Sequence, residues 1–118
     1  MLRGVLQIVL LSIVCAFYAE ATDQVTQIDI RIRNHTFEPN VVTAATGQKL
    51  KLVITNQDDT VEEFESFDLK REKIVPAGGQ INIILAPLPE GRYEFFGEFH
   101  QDTARGVLNI ITNPTPNE

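Results

Sequence analysis

The feature that most restricts this chain is a two-residue alternation of apolar and polar side chains, interrupted again and again by turn-forming residues. Ile28, Ile30 and Ile32 alternate with Asp29, Arg31 and Arg33. A period of two puts the isoleucines on one face of a strand and the charges on the other. The pattern returns at Leu50, Leu52 and Ile54, at Ile81, Ile83 and Leu85, and at Tyr93, Phe95 and Gly97. Residues 41–43, 64–69 and 107–111 read as further extended pieces. Gly47, Asn56-Gln57-Asp58-Asp59, Val75-Pro76-Ala77-Gly78-Gly79 and Pro87-Leu88-Pro89-Glu90-Gly91 punctuate them. No stretch after residue 21 carries a helical repeat. Short strands at this spacing predict an all-β fold, an antiparallel Greek-key β-sandwich. Residues 70–73 read as a solvated connection. Tyr93, two residues after Gly91, is placed to form a tyrosine corner.

The first 21 residues are of another kind. Met1-Leu2-Arg3 is a short basic start, residues 4–18 are apolar but for Gln7 and Ser12, and Ala19-Glu20-Ala21 fits the small-x-small cleavage rule. This predicts a signal peptide over 1–21, one domain over 22–112, and a disordered tail over 113–118. The apolar run is short for a membrane span, so a cleaved leader and a periplasmic protein are expected rather than an anchor.

Sulfur then narrows the chemistry. The chain has one Met and one Cys, Met1 and Cys15, both in the leader. Without the leader there is no disulfide framework, no Cys-bound zinc or iron–sulfur cluster and no Cys nucleophile. The leader takes away Arg3 and Glu20, so the net charge of −6 is unchanged. An acidic exported domain is a poor partner for nucleic acid or anionic lipid, and suits hard cations or a basic protein surface.

Metal-ligating side chains gather in two places. One is Glu62-Glu63-Phe64-Glu65-Ser66-Phe67-Asp68-Leu69. With Phe67 and Leu69 facing the core, a period of two sets Glu63 and Glu65 on that same side. Buried carboxylates demand a partner such as a metal, unless they lie solvated at the rim. A bulge would turn Glu62 and Phe64 inward instead. The other place is Glu98 and His100, two apart where an apolar strand gives way to a loop. His35 reads as a loop histidine. No Ser sits in a nucleophile elbow, and Gly78-Gly79 precedes a strand rather than a helix, so triad and phosphate-loop chemistry are excluded.

Tyr93-Glu94-Phe95-Phe96-Gly97-Glu98-Phe99-His100, followed by Gly106-Val107-Leu108, resembles the ending of cupredoxins, Y-x-F-x-C-x-x-H and M-x-G before a strand. Asn56-Gln57-Asp58 leading to Glu62-Glu63-Phe64 resembles the loop that carries their first copper His, and Phe37-Glu38-Pro39 with Gly47 resembles their opening strands. The resemblance implies a cupredoxin-type sandwich. A blue copper site uses two His, one Cys and an axial Met. Here the Cys position is Gly97, the Met position falls near Ala104-Arg105, and the first His position falls on Glu62 or Glu63. Only His100 stands where the family has a ligand, so blue-copper electron transfer is not expected.

Glu63-Phe64-Glu65-Ser66 and Gly97-Glu98-Phe99-His100 are more similar to the non-blue, acidic cupredoxin-like domains of bacterial iron uptake. Those occur in EfeO-type periplasmic proteins and as small proteins beside an iron permease. Some carry a Cys near Phe37 and another at Gly97, both absent here. The likeness implies binding of iron or copper, with Glu63, Glu65, Glu98 and His100 as ligands. It also implies help with ferrous oxidation and delivery to a permease or a periplasmic iron-binding protein. The contrasting expectation is a metal-free sandwich that docks a partner through Phe95, Phe96 and Phe99.

Overall fold

The computed structural model describes residues 4, 13–16 and 24–112. The expected leader lies mostly, and the tail over 113–118 wholly, outside the described residues. Among the described residues no helix is long and apolar enough to cross a membrane.

The alternating segments form β1 (Val25–Arg33), β2 (Thr36–Glu38), β3 (Val41–Ala45), β4 (Lys49–Asn56), β5 (Glu62–Ser66), β6 (Arg71–Val75), β7 (Gln80–Leu85), β8 (Gly91–Gly97) and β9 (Arg105–Ile111). A 3-10 turn, Glu98–His100, follows β8. Two sheets pack face to face, in the orders β2-β1-β4-β7 and β3-β9-β8-β5-β6. This is the Greek-key sandwich that the alternation predicts. It is not purely antiparallel, because β1 runs parallel to β4 and β3 parallel to β9. Hydrophobic alternation fixes which face of a strand is buried and carries no information about a neighbour's direction.

The inward residues do what period two requires. Ile30, Ile32, Leu50, Leu52 and Ile54 from one sheet meet Phe64, Phe95, Leu108 and Ile110 from the other. Phe37, Phe64 and Phe95 form an aromatic centre, with ring centroids 5.0 to 6.3 Å apart. Burying each such side chain contributes roughly 1.5–3 kcal/mol. The tyrosine corner is present: the Tyr93 hydroxyl donates to the Pro89 carbonyl at 2.8 Å.

Two further expectations need correction. The 70–73 segment is mostly strand: β6 pairs with β5 through Glu65↔Glu72 and Ser66↔Arg71. Its charges had hidden an edge strand. Arg71 and Lys73 reach across to the Ile84 and Asn82 carbonyls of β7 and close that side of the sandwich. The second correction concerns the phase of β5. Glu62, Phe64 and Ser66 face inward, while Glu63 and Glu65 face out. Phe67 and Leu69 cannot report this phase, because the strand ends at Ser66 and a turn follows, with Lys70 at φ 55°. Ser66 Oγ holds that turn, accepting from the Leu69 N–H at 3.1 Å and donating to the Glu94 carbonyl at 2.6 Å.

Candidate functional site

At one end of the sandwich β5 and the 3-10 turn after β8 come together, and the four expected ligands divide between two environments. On the inner side, Glu62 is 1% exposed. Its Oε1 accepts the N–H of Glu63 at 3.0 Å and of Phe99 at 2.9 Å, and its Oε2 lies 2.6 Å from His100 Nδ1. An ionised carboxylate only accepts, so this contact selects the ring form with hydrogen on Nδ1. His100 is therefore held by Glu62 and not by the other three expected ligands.

Gly97 makes room for this. A Cβ at that position would stand 2.6 Å from Glu62 Cδ and 2.7 Å from the Ala104 methyl. Of the two residues at the first-His position, it is thus Glu62 that turns inward, and its carboxyl fills the space a side chain at 97 would need. A thiolate at 97 and Glu62 in this pose exclude one another.

His35 joins from the β1–β2 turn. Its ring stacks on His100, with centroids 3.6 Å apart and planes 10° from parallel, and its Nδ1 lies 3.5 Å from Asp58 Oδ2. Asn34 and His35 have φ of 52° and 57°, a conformation that costs energy in non-glycine residues. Asp58 offsets that cost by accepting both of their N–H groups, at 2.8 and 2.9 Å. Burial works against the Asp58 charge. The two N–H groups, with the charges of His35 and His100, outweigh it and bring the carboxyl below its ordinary 3.8. Asn56 supports Asp58 from below, accepting its N–H at 3.0 Å.

On the outer side, Glu63 and Glu65 of β5 meet Glu72 of β6. One carboxylate oxygen from each lies within 4.8 Å of the other two. Glu98 comes from the 3-10 turn to within hydrogen-bonding reach of Glu65. A shared hydrogen bond with Glu72, then burial and the charges of Glu72, Glu65 and Glu98, push Glu63 up to about 7. Burial raises Glu65 too, followed by its hydrogen bond with Glu98 and the charges of Glu98 and Glu72. Like-charge crowding adds to both shifts, and among the described residues no cationic side chain pairs with either carboxyl. Oxygen donors in this number are the ligand type of hard cations.

Glu63, Glu65 and Glu98 are thus brought together and His100 is set apart from them. Glu72, Glu62 and His35 were missed as site residues. Glu72 was legible in principle, since Glu72 and Ile74 alternate with Arg71 and Lys73. Nothing local in the sequence brings His35 to His100.

A family model for the cupredoxin-like domain matches residues 5–110. The uncharacterized protein RP394 of Rickettsia prowazekii (strain Madrid E) is 53% identical over 91 residues, covering 77% of this chain and 73% of that protein. Auracyanin A, a "blue" copper protein from Chloroflexus aurantiacus, superposes with a TM-score of 0.65 at 10% identity, over 75% of this chain and all (100%) of that one. The metal binding domain of the Streptococcus pneumoniae D39 Cu(I) exporting P-type ATPase CopA gives 0.62 at 12% identity, over 76% of this chain and 98% of that one. The structural neighbours share the fold, and the family match spans most of the sequence: the chain belongs to the cupredoxin-like domain family.

Proposed function

We propose that this protein binds a metal ion outside the cytoplasm as part of a bacterial iron uptake system. Glu63, Glu65, Glu72 and Glu98 hold the ion. The observation that carries this reading is the meeting of Glu63, Glu65 and Glu72 within 4.8 Å. A hydrogen bond with Glu72 and burial raise Glu63, burial and a hydrogen bond with Glu98 raise Glu65, and like charge adds to both; a cation would offset that like charge. An all-oxygen set favours Fe3+ over Fe2+, and also accepts Cu2+, the strongest binder among the common divalent ions. The "blue" copper protein among the structural neighbours supports copper as the second candidate. The carboxylates lie on an outer sheet face, open to hand-off to a permease or another periplasmic iron-binding protein. The leader-like start and the likeness to EfeO-type domains support the periplasmic setting.

The test is a calorimetric titration of the purified chain with ferric citrate and with Cu2+. Saturable binding that is lost in a Glu63→Gln/Glu65→Gln/Glu98→Gln variant is expected. Equal heats for the two proteins reject the reading.

One observation favours partner docking on the same face. Phe67 is 74% exposed beside Phe96, on which Arg105 stacks at 6.0 Å, and these residues edge a groove of about 480 Å³. Phe95, by contrast, is core. A photo-crosslinker at position 67 that captures the same membrane partner with and without the four carboxylates would favour docking alone.

A further inference from the structure

The carboxylate group has two parts with different support. Glu63, Glu65 and Glu72 sit on paired strands, where the β5–β6 ladder sets their spacing through Glu65↔Glu72. Glu98 has no such support. The pairing of β5 with β8 ends at Phe64↔Gly97, and the chain leaves the sheet at the next residue.

Glu62 crosses that gap. Its Oε1 accepts from the N–H of Glu63, a member of the group, and from the N–H of Phe99, the neighbour of Glu98. Its Oε2 holds His100, the last residue of the same turn. One buried carboxyl therefore ties the turn that carries Glu98 to the strand that carries Glu63 and Glu65. It fits there because Gly97 has no side chain. The His100 carbonyl accepts from the N–H groups of Thr103 and Ala104, the Glu98 carbonyl accepts from the Gln101 side chain, and Gly97 N–H donates to the Ala104 carbonyl, so these bonds close the segment on itself and not onto β5.

We propose that Glu62 is the positioning residue of the carboxylate site: it touches no ion, and it docks Glu98 against Glu63 and Glu65. This rests on the metal-binding reading above. Groups that orient first ligands from behind change metal affinity by about 10–100-fold when removed.

The test uses Tb3+, a hard trivalent probe of oxygen sites, titrated into the full chain and its variants. Glu62→Ala is expected to weaken Tb3+ binding by roughly tenfold, about as much as Glu98→Ala. The double variant Glu62→Ala/Glu98→Ala is expected to be no weaker than either single one. Glu62→Ala/Glu72→Ala is expected to lose both effects in full. Glu62→Gln keeps an acceptor oxygen for the two N–H groups and is expected to bind within threefold or so of wild type. Should Glu62→Ala fail to fold, Gly97→Ala displaces the same carboxyl and is expected to give the same loss. Wild-type affinity in Glu62→Ala, or in Gly97→Ala if that is the variant used, overturns the positioning role alone. Additive losses in Glu62→Ala/Glu98→Ala overturn it as well. Absence of Tb3+ binding in the wild type overturns this inference together with the reading it rests on.

Discussion

On the inner side of β5 the Glu62 carboxyl meets three hydrogen-bond donors; on the outer side, one residue along, Glu63 meets other carboxyls. The first is almost wholly enclosed, and among the described residues no buried side-chain nitrogen or oxygen lacks a partner. The second is half-exposed and crowded by like charge. Burial and strain thus run opposite to a simple view of charged residues. The buried carboxylate is at rest because protein donors satisfy it. The accessible ones are the frustrated group, since among the described residues no cationic side chain pairs with them. Adjacent residues of one strand thus meet opposite electrostatic surroundings.

The largest break in this contrast is Glu62→Ala. It leaves two backbone N–H groups and an imidazole without their acceptor, and is expected to cost about 3 kcal/mol in urea denaturation. Gly97→Ala attacks the same contact from the other side, at about 2 kcal/mol, because the new methyl meets Glu62 Cδ and the Ala104 methyl. The two changes are expected to be sub-additive by on the order of 1 kcal/mol, since both disturb one packing contact. Asp58→Ala removes the acceptor for the Asn34 and His35 N–H groups and is expected to cost about 1 kcal/mol.

Glu63→Gln is the gentlest test and has the opposite sign. Glu63 holds its proton up to about 7 in the fold, against an ordinary 4.5. Between those values the folded state binds more protons than the unfolded one, so its contribution to stability falls as pH rises. Melting temperatures measured from about pH 5 to about pH 8 are expected to show a downward slope that Glu63→Gln flattens. Saturating metal is expected to flatten it too. Asp58 acts elsewhere: its lowered carboxyl stabilises the fold above its ordinary value, and that stability is lost as pH falls through the lower one.

Most of the sandwich was legible because β1 and β7 alternate throughout and β4 departs from alternation only at the buried Val53. The loss of the sulfur ligands was equally plain in Gly97. The site was only half legible. Glu63, Glu65 and Glu98 stand out in the sequence as candidates, but the side of β5 that Glu63 and Glu65 occupy does not. The clue taken for its phase, Phe67 and Leu69, belongs to a turn beyond the strand. His100 was assigned to the wrong neighbours for a related reason: its partner Glu62 differs from Glu63 by one residue, which in a strand means the opposite face. The stacking of His35 on His100 spans 65 positions, and no local pattern encodes it.

The edge strand β3 has only β9 beside it in its sheet, with Val41 paired to Val107 and Ala45 to Ile111. Among the strand pairings of the described residues that union joins the positions farthest apart in sequence, and loop closure precedes any gain from the contacts. Folding on the order of milliseconds to seconds is therefore expected. During synthesis β3 must wait for nearly the whole domain to emerge before it acquires a neighbour.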